Sequence, residues 1–380
     1  MANKQLVEED LTVGEPVKWH IYDGNGRLLV KKGMSLRSER QISKIIRLSG
    51  YIKTDVNNLD ELDQNIAAND ALSPFHHIDG VLEKLNKVFR YIIYKPANPA
   101  KKVPDKLRSL SKSIIGLCEY DMDATIGSIH VGKDYSYTII HPLHCAIISY
   151  ALAYNLGIRD NRLHSIVCAA LTSNLGMFEM QAKLLEQQGP LTPKQKEEVE
   201  KHTMRSTIML KRIGVLDKLW LEIVLQHHEK QDGTGYPRGL EGDEFIREAK
   251  ILAMADRYHA MVSPRDYRVG LSPTEALKQI FQGRGKEVDE ALSALLIKDM
   301  GIFPPGSFVQ LANEEVAIVT RRGEDRMKPT VKSIVDPDGR SYKNPRARDT
   351  SDKEYRVMGL TNQPSQYEDD LLKLWDYSLN

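Results

Sequence analysis

The sequence predicts a mainly α protein with a small α+β unit at the N-terminus and a small β appendage near the C-terminus. Three observations predict this class. Between residues 135 and 300, apolar residues recur at helical spacing almost without interruption. Before residue 60, short alternating segments flank the turn sequence DGNG at residues 23–26, a strong hairpin signal. After Gly301, short alternating runs separated by turns return.

Composition places the chain among soluble globular proteins. Its 380 residues suffice for two or three domains, and 41% of them are hydrophobic and 28% charged. The formal net charge of +1 gives no global field that would recruit nucleic acid or an anionic membrane. Three cysteines without a C-x-x-C pair argue against a disulfide framework. With no apolar signal core and no segment long enough to span a bilayer, we expect a cytoplasmic protein.

The pattern divides the chain into five parts. Residues 1–60 form a small hairpin-plus-helix domain, with strands at 13–22 and 27–32 and a helix at 35–48 that Gly50 ends. Residues 61–134 are a linker and helical connector, because 57–73 is polar and rich in Asn and Asp. The helical domain covers 135–300, the β appendage 301–345 and a C-terminal tail 346–380. The last fifteen or so residues are acidic and amphipathic, and they are expected to form a solvated helix; the alternative is a motif that binds a partner.

Helical periodicity begins at residue 78, is interrupted by the prolines at 96–104, and resumes at 105–120. The helices predicted for the central domain are 142–156, 161–175, 193–212, 218–228, 245–262, 273–282 and 288–299. In the appendage, residues 307–322 and 329–342 alternate like strands.

The most informative segment is LQHHEKQDGTGYPRGL, residues 225–240. It places two adjacent histidines and a glutamate, residue types that bind metals or move protons, beside a turn rich in Gly and Pro. Adjacent imidazoles at a helix end point in divergent directions, so His227 and His228 could serve one metal cluster. The turn around Tyr236 could shape a pocket.

Further donors lie elsewhere in the helical domain. His141 directly precedes Pro142, which is tolerated at the first position of a helix, so His141 should lie at a helix mouth. His202 lies in a charged helix near the start of its apolar part. Asp256 lies inside an otherwise apolar helix, where an unpaired charge is costly and needs a cation or a donor. With His227 and His228 these residues suit iron, manganese or zinc; the alternative is a site without metal.

At these residues the chain resembles the HD-GYP family, a branch of the HD phosphohydrolases that hydrolyses cyclic di-GMP. The resemblance rests on HHEKQDGTGYPRG at 227–239 and AKILAMADRYHAMVSPRDYR at 249–268, and it extends through the β appendage. It implies an all-helical HD-type domain. The metal-ligand positions it implies are His141, His202, His227, His228 and Asp256. The ligand-binding positions it implies are Gly235, Tyr236, Pro237, Arg265 and Arg268.

The chain departs from the family where the name-giving His-Asp pair is expected, within A-A-L-T-S-N-L-G-M at 169–177. Ser173 replaces the histidine, Asn174 the aspartate and Met177 a lysine. Asn174 offers one neutral oxygen and is a poor bridge between two metal ions. A further departure is His259, where many relatives carry an aspartate.

Three functions follow from this resemblance. The first is a catalytically degenerate protein that binds cyclic di-GMP as a receptor or signalling scaffold. The second is a metal-dependent phosphodiesterase with weak or altered activity at a mononuclear site. The third is an interaction module that docks a GGDEF-type diguanylate cyclase. The N-terminal domain could sense, dock or form a homodimer, and its sequence does not choose among these roles.

Overall fold

The computed structural model describes residues 2–6, 10–15, 17, 21–22, 28–30, 34–36, 38–47, 51–54, 74–94, 102–131, 135–264, 270–364 and 374–377. The chain divides into two compact units. One comprises Met1–Asn65 with Ile93–Lys95, and the other comprises Ile66–Ile92 with Pro96–Asn380.

The first unit is a four-stranded antiparallel sheet with one helix, α1 (Glu39–Arg47). Its strands lie in the order β1-β4-β2-β3 and comprise β1 (Ala2–Gln5), β2 (Ile21–Tyr22), β3 (Leu28–Val30) and β4 (Tyr51–Thr54). Ile42 and Ile45 of α1 are buried in a small apolar core that also contains Ile21. The β2–β3 pair is the predicted hairpin, although its turn lies outside the described residues.

Helices dominate the second unit, as the periodicity predicted. They are α2 (Pro74–Tyr94), α3 (Val103–Tyr120), α4 (Met122–His130), α5 (Tyr137–Asn155), α6 (Asp160–Thr172), α7 (Phe178–Glu186), α8 (Pro193–Glu200), α9 (His202–Arg212), α10 (Lys218–Gln226), α11 (Arg247–Val262), α12 (Pro273–Gln282) and α13 (Glu290–Met300). The sequence did not predict α4 and α7, which are short.

Two predicted helix boundaries were wrong. Pro142 does not open a helix, because α5 already begins at Tyr137 and carries Pro142 in its second turn. There the missing amide hydrogen costs one hydrogen bond to the backbone of the preceding turn. The predicted helix 193–212 is two helices, with Lys201 as the joint between α8 and α9. No Gly or Pro marks residue 201, so the pattern gave no sign of this break.

The β appendage is a five-stranded antiparallel sheet in the order β8-β7-β6-β5-β9. Its strands are β5 (Phe308–Leu311), β6 (Val316–Arg321), β7 (Thr330–Val335), β8 (Ser341–Arg348) and β9 (Val357–Leu360). One face packs in a cluster with Ala124 of α4 and Phe75 of α2. The sheet extends beyond the predicted end of the appendage at residue 345, because the end of β8 and all of β9 lie in the segment predicted as tail.

The prediction of a solvated helix in the last fifteen or so residues is wrong for the described ones among them, residues 374–377. Leu374 and Trp375 are buried in the same cluster as the inner face of the sheet. The Trp375 indole donates to the carbonyl of Thr320 over 2.9 Å and packs on Phe75 at a centroid distance of 5.1 Å. A Cβ at Gly127 would lie 2.5 Å from the Trp375 ring, so this contact requires glycine. Sequence alone gave no sign of a docking surface 250 residues away.

Within the described ranges, the structure has no helix long and apolar enough to cross a membrane.

Candidate metal and ligand site

The predicted donors lie on four helices of the second unit. His141 is in the second turn of α5, His202 opens α9, and His227 and His228 follow the end of α10. Asp256 is in the middle of α11, which packs along α5. The structure arranges the donors as two groups. One is His202, His227 and His228. The other contains His141, beside Asp256, with Cys145 and His259, which were not predicted as ligands.

The imidazole cluster consists of His202, His227 and His228, whose nitrogen donors lie within 4.8 Å of one another. Nδ1 of His227 is 2.8 Å from the carbonyl of Val224, and Nδ1 of His202 contacts the carbonyl of Val199. A carbonyl only accepts, so each Nδ1 carries the proton and each Nε2 keeps a lone pair.

The two Nε2 atoms of His202 and His227 face each other at 3.4 Å. Two lone pairs in that position repel unless a cation lies between them. Two nitrogen ligands at about 2.1 Å from a tetrahedral metal lie about 3.4 Å apart. This geometry therefore fits one divalent metal ion. Burial lowers the pKa of His202 to about 3 and lowers the pKa of His227, so both are neutral at pH 7 and able to bind it.

Asp256 belongs to a hydrogen-bonded chain that continues through three histidines. Its Oδ1 is 2.9 Å from Nε2 of His141, and Nδ1 of His141 is 2.7 Å from Nδ1 of His259. Nε2 of His259 is in turn 2.8 Å from Nδ1 of His144. Burial alone would raise the pKa of Asp256, but the hydrogen bond from His141 lowers it below its usual range. The carboxylate is thus ionised and only accepts.

Cys145 lies one helical turn after His141, with Sγ 3.5 Å from Nε2 and 3.8 Å from Nδ1 of that ring. His141, Cys145 and His259 form the second group of possible metal ligands. Burial raises the pKa of the Cys145 thiol well above its usual range. Sequence reasoning left Cys145 and His259 out of the ligand set. The only available signal was spacing: residues 141 and 145, and residues 256 and 259, share helix faces.

The segment that replaces the His-Asp pair packs against the start of α9. Ser206 of α9 donates to the carbonyl of Ser173 over 2.6 Å and accepts from the amide of Gly176 over 2.8 Å. The Ser173 hydroxyl donates to the Ala170 carbonyl. Asn174 is buried, and its Oδ1 has no hydrogen-bond partner within the described part of the chain. These side chains supply no carboxylate for a second, bridged metal.

Met177 lines a cavity of about 480 Å³ with mainly apolar walls. The neighbouring wall residues include Leu184, Leu191 and Val199. Tyr137, which stacks on His141 at a centroid distance of 4.9 Å, lies at the same cavity. Where the family pattern has a lysine, this chain therefore has an apolar wall.

The loop after His228 is held by Glu229, which is buried. Its two carboxylate oxygens accept the amide hydrogens of Arg238 and Leu240 over 2.8 and 3.0 Å. Sequence reasoning grouped Glu229 with the metal-binding residues, whereas in the structure it closes the loop. Gly235 is required because a Cβ there would lie 2.4 Å from the amide nitrogen of Lys230.

Tyr236 stacks on His228 at a centroid distance of 4.8 Å, and its amide donates to the carbonyl of His228. The loop thereby places an aromatic ring beside the imidazole cluster, with Gly235 and Pro237 on either side. Arg265 and Arg268 lie outside the described residues, so their part in the site stays a prediction.

Comparison with known proteins places these observations in a family. The HD domain family matches residues 140–292. A cyclic di-GMP phosphodiesterase of Pseudomonas aeruginosa is 28% identical over 211 residues, which are 55% of this chain and 51% of that protein. A cyclic di-GMP phosphodiesterase of Thermotoga maritima is 35% identical over 153 residues, 39% of this chain and 42% of that one. The chain thus spans about half the length of these relatives or less.

Among solved structures, an HDG"Y"P protein from Bdellovibrio bacteriovorus, Bd1817, superposes with a TM-score of 0.55 at 18% identity. The match covers 78% of this chain and 98% of that one, and it shows a shared fold. Residues 140–292 thus carry an HD domain. The matched relatives confirm the resemblance to the HD-GYP family that the GYP loop predicted.

Proposed function

We propose that this protein binds cyclic di-GMP as a receptor or scaffold in cyclic di-GMP signalling and has lost efficient hydrolysis. The ligand class comes from the curated relatives, several of which carry the name cyclic di-GMP phosphodiesterase, including those from Pseudomonas aeruginosa and Thermotoga maritima. A relative from Vibrio cholerae, 29% identical over 168 residues, is named a 3'3'-cGAMP-specific phosphodiesterase, so 3'3'-cGAMP is a second ligand to test.

The observation that carries the loss of hydrolysis is the pair Ser173 and Asn174. Ser173 already donates to a backbone carbonyl, and the single amide oxygen of Asn174 is neutral and buried. Neither side chain can act as an anionic bridge that holds two metal ions close together. Met177 adds an apolar wall, which offers no positive charge to a phosphate. Attack on a phosphodiester at this site would therefore lack the second metal ion and the positive charge of the lysine that Met177 replaces.

The residues that the resemblance implies for ligand binding support the receptor proposal. Glu229 fixes the loop, and Tyr236 presents a ring that can stack on a guanine or contact a phosphate through its hydroxyl. Arg265 and Arg268 supply the charge-assisted hydrogen bonds that a dianionic ligand needs, on the sequence resemblance alone. Binding thus requires nothing from the altered segment 173–177.

A weak phosphodiesterase is the second candidate, because the imidazole cluster fits one metal. His202, His227 and His228 would hold a divalent ion, which supplies Lewis-acid polarisation of a phosphate oxygen when bound. The stacked Tyr236 would orient the ligand beside it.

Calorimetry with cyclic di-GMP, paired with chromatography of the reaction products after incubation with Mn²⁺ or Fe²⁺, separates the two candidates. We expect binding at micromolar ligand without appreciable linear dinucleotide or GMP. Tyr236→Ala should weaken binding, whereas Tyr120→Ala, which changes an exposed tyrosine of α3, should not. Turnover that His227→Ala abolishes would establish the second candidate, and turnover comparable to that of an intact relative would overturn the proposed loss of efficient hydrolysis. Absence of both binding and turnover would overturn the receptor proposal.

A further inference from the structure

We propose that His141, Cys145 and His259 form a second metal site, the His₂Cys site, that is distinct from the imidazole cluster and takes zinc or another thiophilic divalent ion. The three side chains are among the most buried polar groups of the helical core, at 2%, 1% and 2% exposed. Their donor atoms lie within 4.8 Å of one another. The proposal concerns metal binding alone and does not depend on the nucleotide.

One separation between donors already matches that of a tetrahedral zinc site, and a second is shorter. With zinc–sulfur and zinc–nitrogen bonds of about 2.3 and 2.1 Å, a sulfur and a nitrogen ligand lie about 3.6 Å apart. Sγ of Cys145 is 3.8 Å from Nδ1 of His141. Two nitrogen ligands lie about 3.4 Å apart, against 2.7 Å between the hydrogen-bonded Nδ1 atoms of His141 and His259. A metal in place of the shared proton requires these two nitrogens to separate by about 0.7 Å.

Both imidazoles are held through their other nitrogen. Nε2 of His141 donates to the Asp256 carboxylate, so its Nδ1 keeps the lone pair that faces His259. Nε2 of His259 lies 2.8 Å from Nδ1 of His144. Carboxylate or imidazole partners of this kind fix the ring orientation and tautomer of metal-bound histidines. The surroundings needed to orient two ligands are thus already present.

The donor types determine which ion binds. A thiolate with two imidazoles prefers zinc, cobalt or copper over magnesium, calcium or manganese. On binding, the Cys145 thiol loses its proton to solvent, and His259 carries its own proton on Nε2 and donates it to His144. The imidazole cluster lacks sulfur, so the two sites differ in a property that spectroscopy can read.

Cobalt(II) titration of the purified full chain tests the proposal. We expect a thiolate-to-cobalt charge-transfer band that reaches its maximum at one equivalent per His₂Cys site. Cys145→Ser should abolish the band, whereas Cys168→Ser, which alters a thiol of equal burial in α6, should retain it. His202→Ala should reduce the bound cobalt and leave the band in place.

Cobalt binding without a thiolate band, or a band that survives Cys145→Ser, would overturn the His₂Cys site. Should Cys145→Ser fail to fold, X-ray absorption of the unsubstituted zinc protein decides the question. A sulfur shell at about 2.3 Å is the expected result, and a shell of nitrogen and oxygen alone contradicts the proposal. Neither result bears on cyclic di-GMP binding, which calorimetry measures separately.

Discussion

Ser173 and Asn174 place two small neutral side chains where the family pattern has a histidine and an aspartate. Both are buried, and the carbonyl of Ser173 accepts a hydrogen bond from Ser206 of α9. Relative to that pattern, the exchange removes an imidazole and a carboxylate. We therefore attribute the proposed loss of hydrolysis to the missing donor atoms.

Ser173→His combined with Asn174→Asp should raise the metal bound per chain, because it restores a nitrogen ligand and an anionic bridge. Metal analysis after dialysis measures the gain, and the hydrolysis assay shows whether turnover accompanies it. The matched control is Ser173→Ala with Asn174→Leu, which removes the oxygens and should gain nothing. An unchanged metal content in the restored protein would mean that the site has decayed beyond this pair.

Glu229→Gln should destabilise the fold by roughly 1.5–3 kcal/mol, since two charge-assisted hydrogen bonds to amides are lost or weakened. The NH₂ group of the glutamine would also face one of the two backbone amides, and two donors cannot form a hydrogen bond. Urea unfolding gives the change in free energy. Glu222→Gln is the control: Glu222 pairs with Arg238 at the surface, and such a pair contributes about 0–1 kcal/mol. Equal effects of the two substitutions would contradict the loop-closing role of Glu229.

At the scale of elements, the contact between α9 and the turn at Leu175–Met177 positions the imidazole cluster. Gly176 makes this contact possible, because a Cβ there would lie 2.5 Å from the carbonyl of His202 and 2.7 Å from the amide of Ser206. Both neighbours are backbone atoms and cannot move aside without shifting the helix that starts with His202.

Gly176→Ala should therefore cost about 1–3 kcal/mol of stability and lower metal binding at the imidazole cluster, because the overlap displaces His202. Thermal unfolding and cobalt titration measure the two effects. Gly116→Ala in α3 is the matched control, since a Cβ at that position meets nothing within 4 Å. It should be neutral or stabilising by up to about 1 kcal/mol. A neutral Gly176→Ala would contradict the close packing.

Periodicity predicted the helical core, the hairpin and the β appendage, because each has a local repeat of apolar residues. It did not predict the break at Lys201 or the early start of α5, which depend on packing between helices. The same limit applies to the site. His227 and His228 are neighbours in sequence and could be recognised together, whereas His141 and His259 meet across 118 residues. Only the fold brings that pair into contact.

For the whole molecule, the buried histidines predict a marked loss of stability in acid. Burial lowers the pKa of His130 to about 4, and it lowers the pKa of His144 and His202 to about 3. The folded state keeps these rings neutral while the unfolded chain takes up protons below about pH 6.5. Stability is therefore full above that pH and decreases as the pH falls toward 3 to 4.

The expected loss is up to about 1.4 kcal/mol per pH unit for each such histidine. Urea unfolding of the metal-free protein between pH 7.5 and 5 measures it. His144→Gln, which keeps a polar side chain that is neutral at every pH, should reduce the dependence of the unfolding free energy on pH. A free energy of unfolding that is constant over this range would contradict the burial of neutral imidazoles.

The docking of Trp375 beside Gly127 also sets the order in which the molecule can be completed. Tyr377, next to it, donates to Asp121, and these residues are separated by 256 positions in the chain. During synthesis, α4 and the inner face of the sheet keep an uncovered apolar surface until residues 374–377 emerge. The helical core can form from local contacts before then, but closing a loop this long carries a larger entropic cost. Residues 374–377 thus complete a core that the middle of the chain begins.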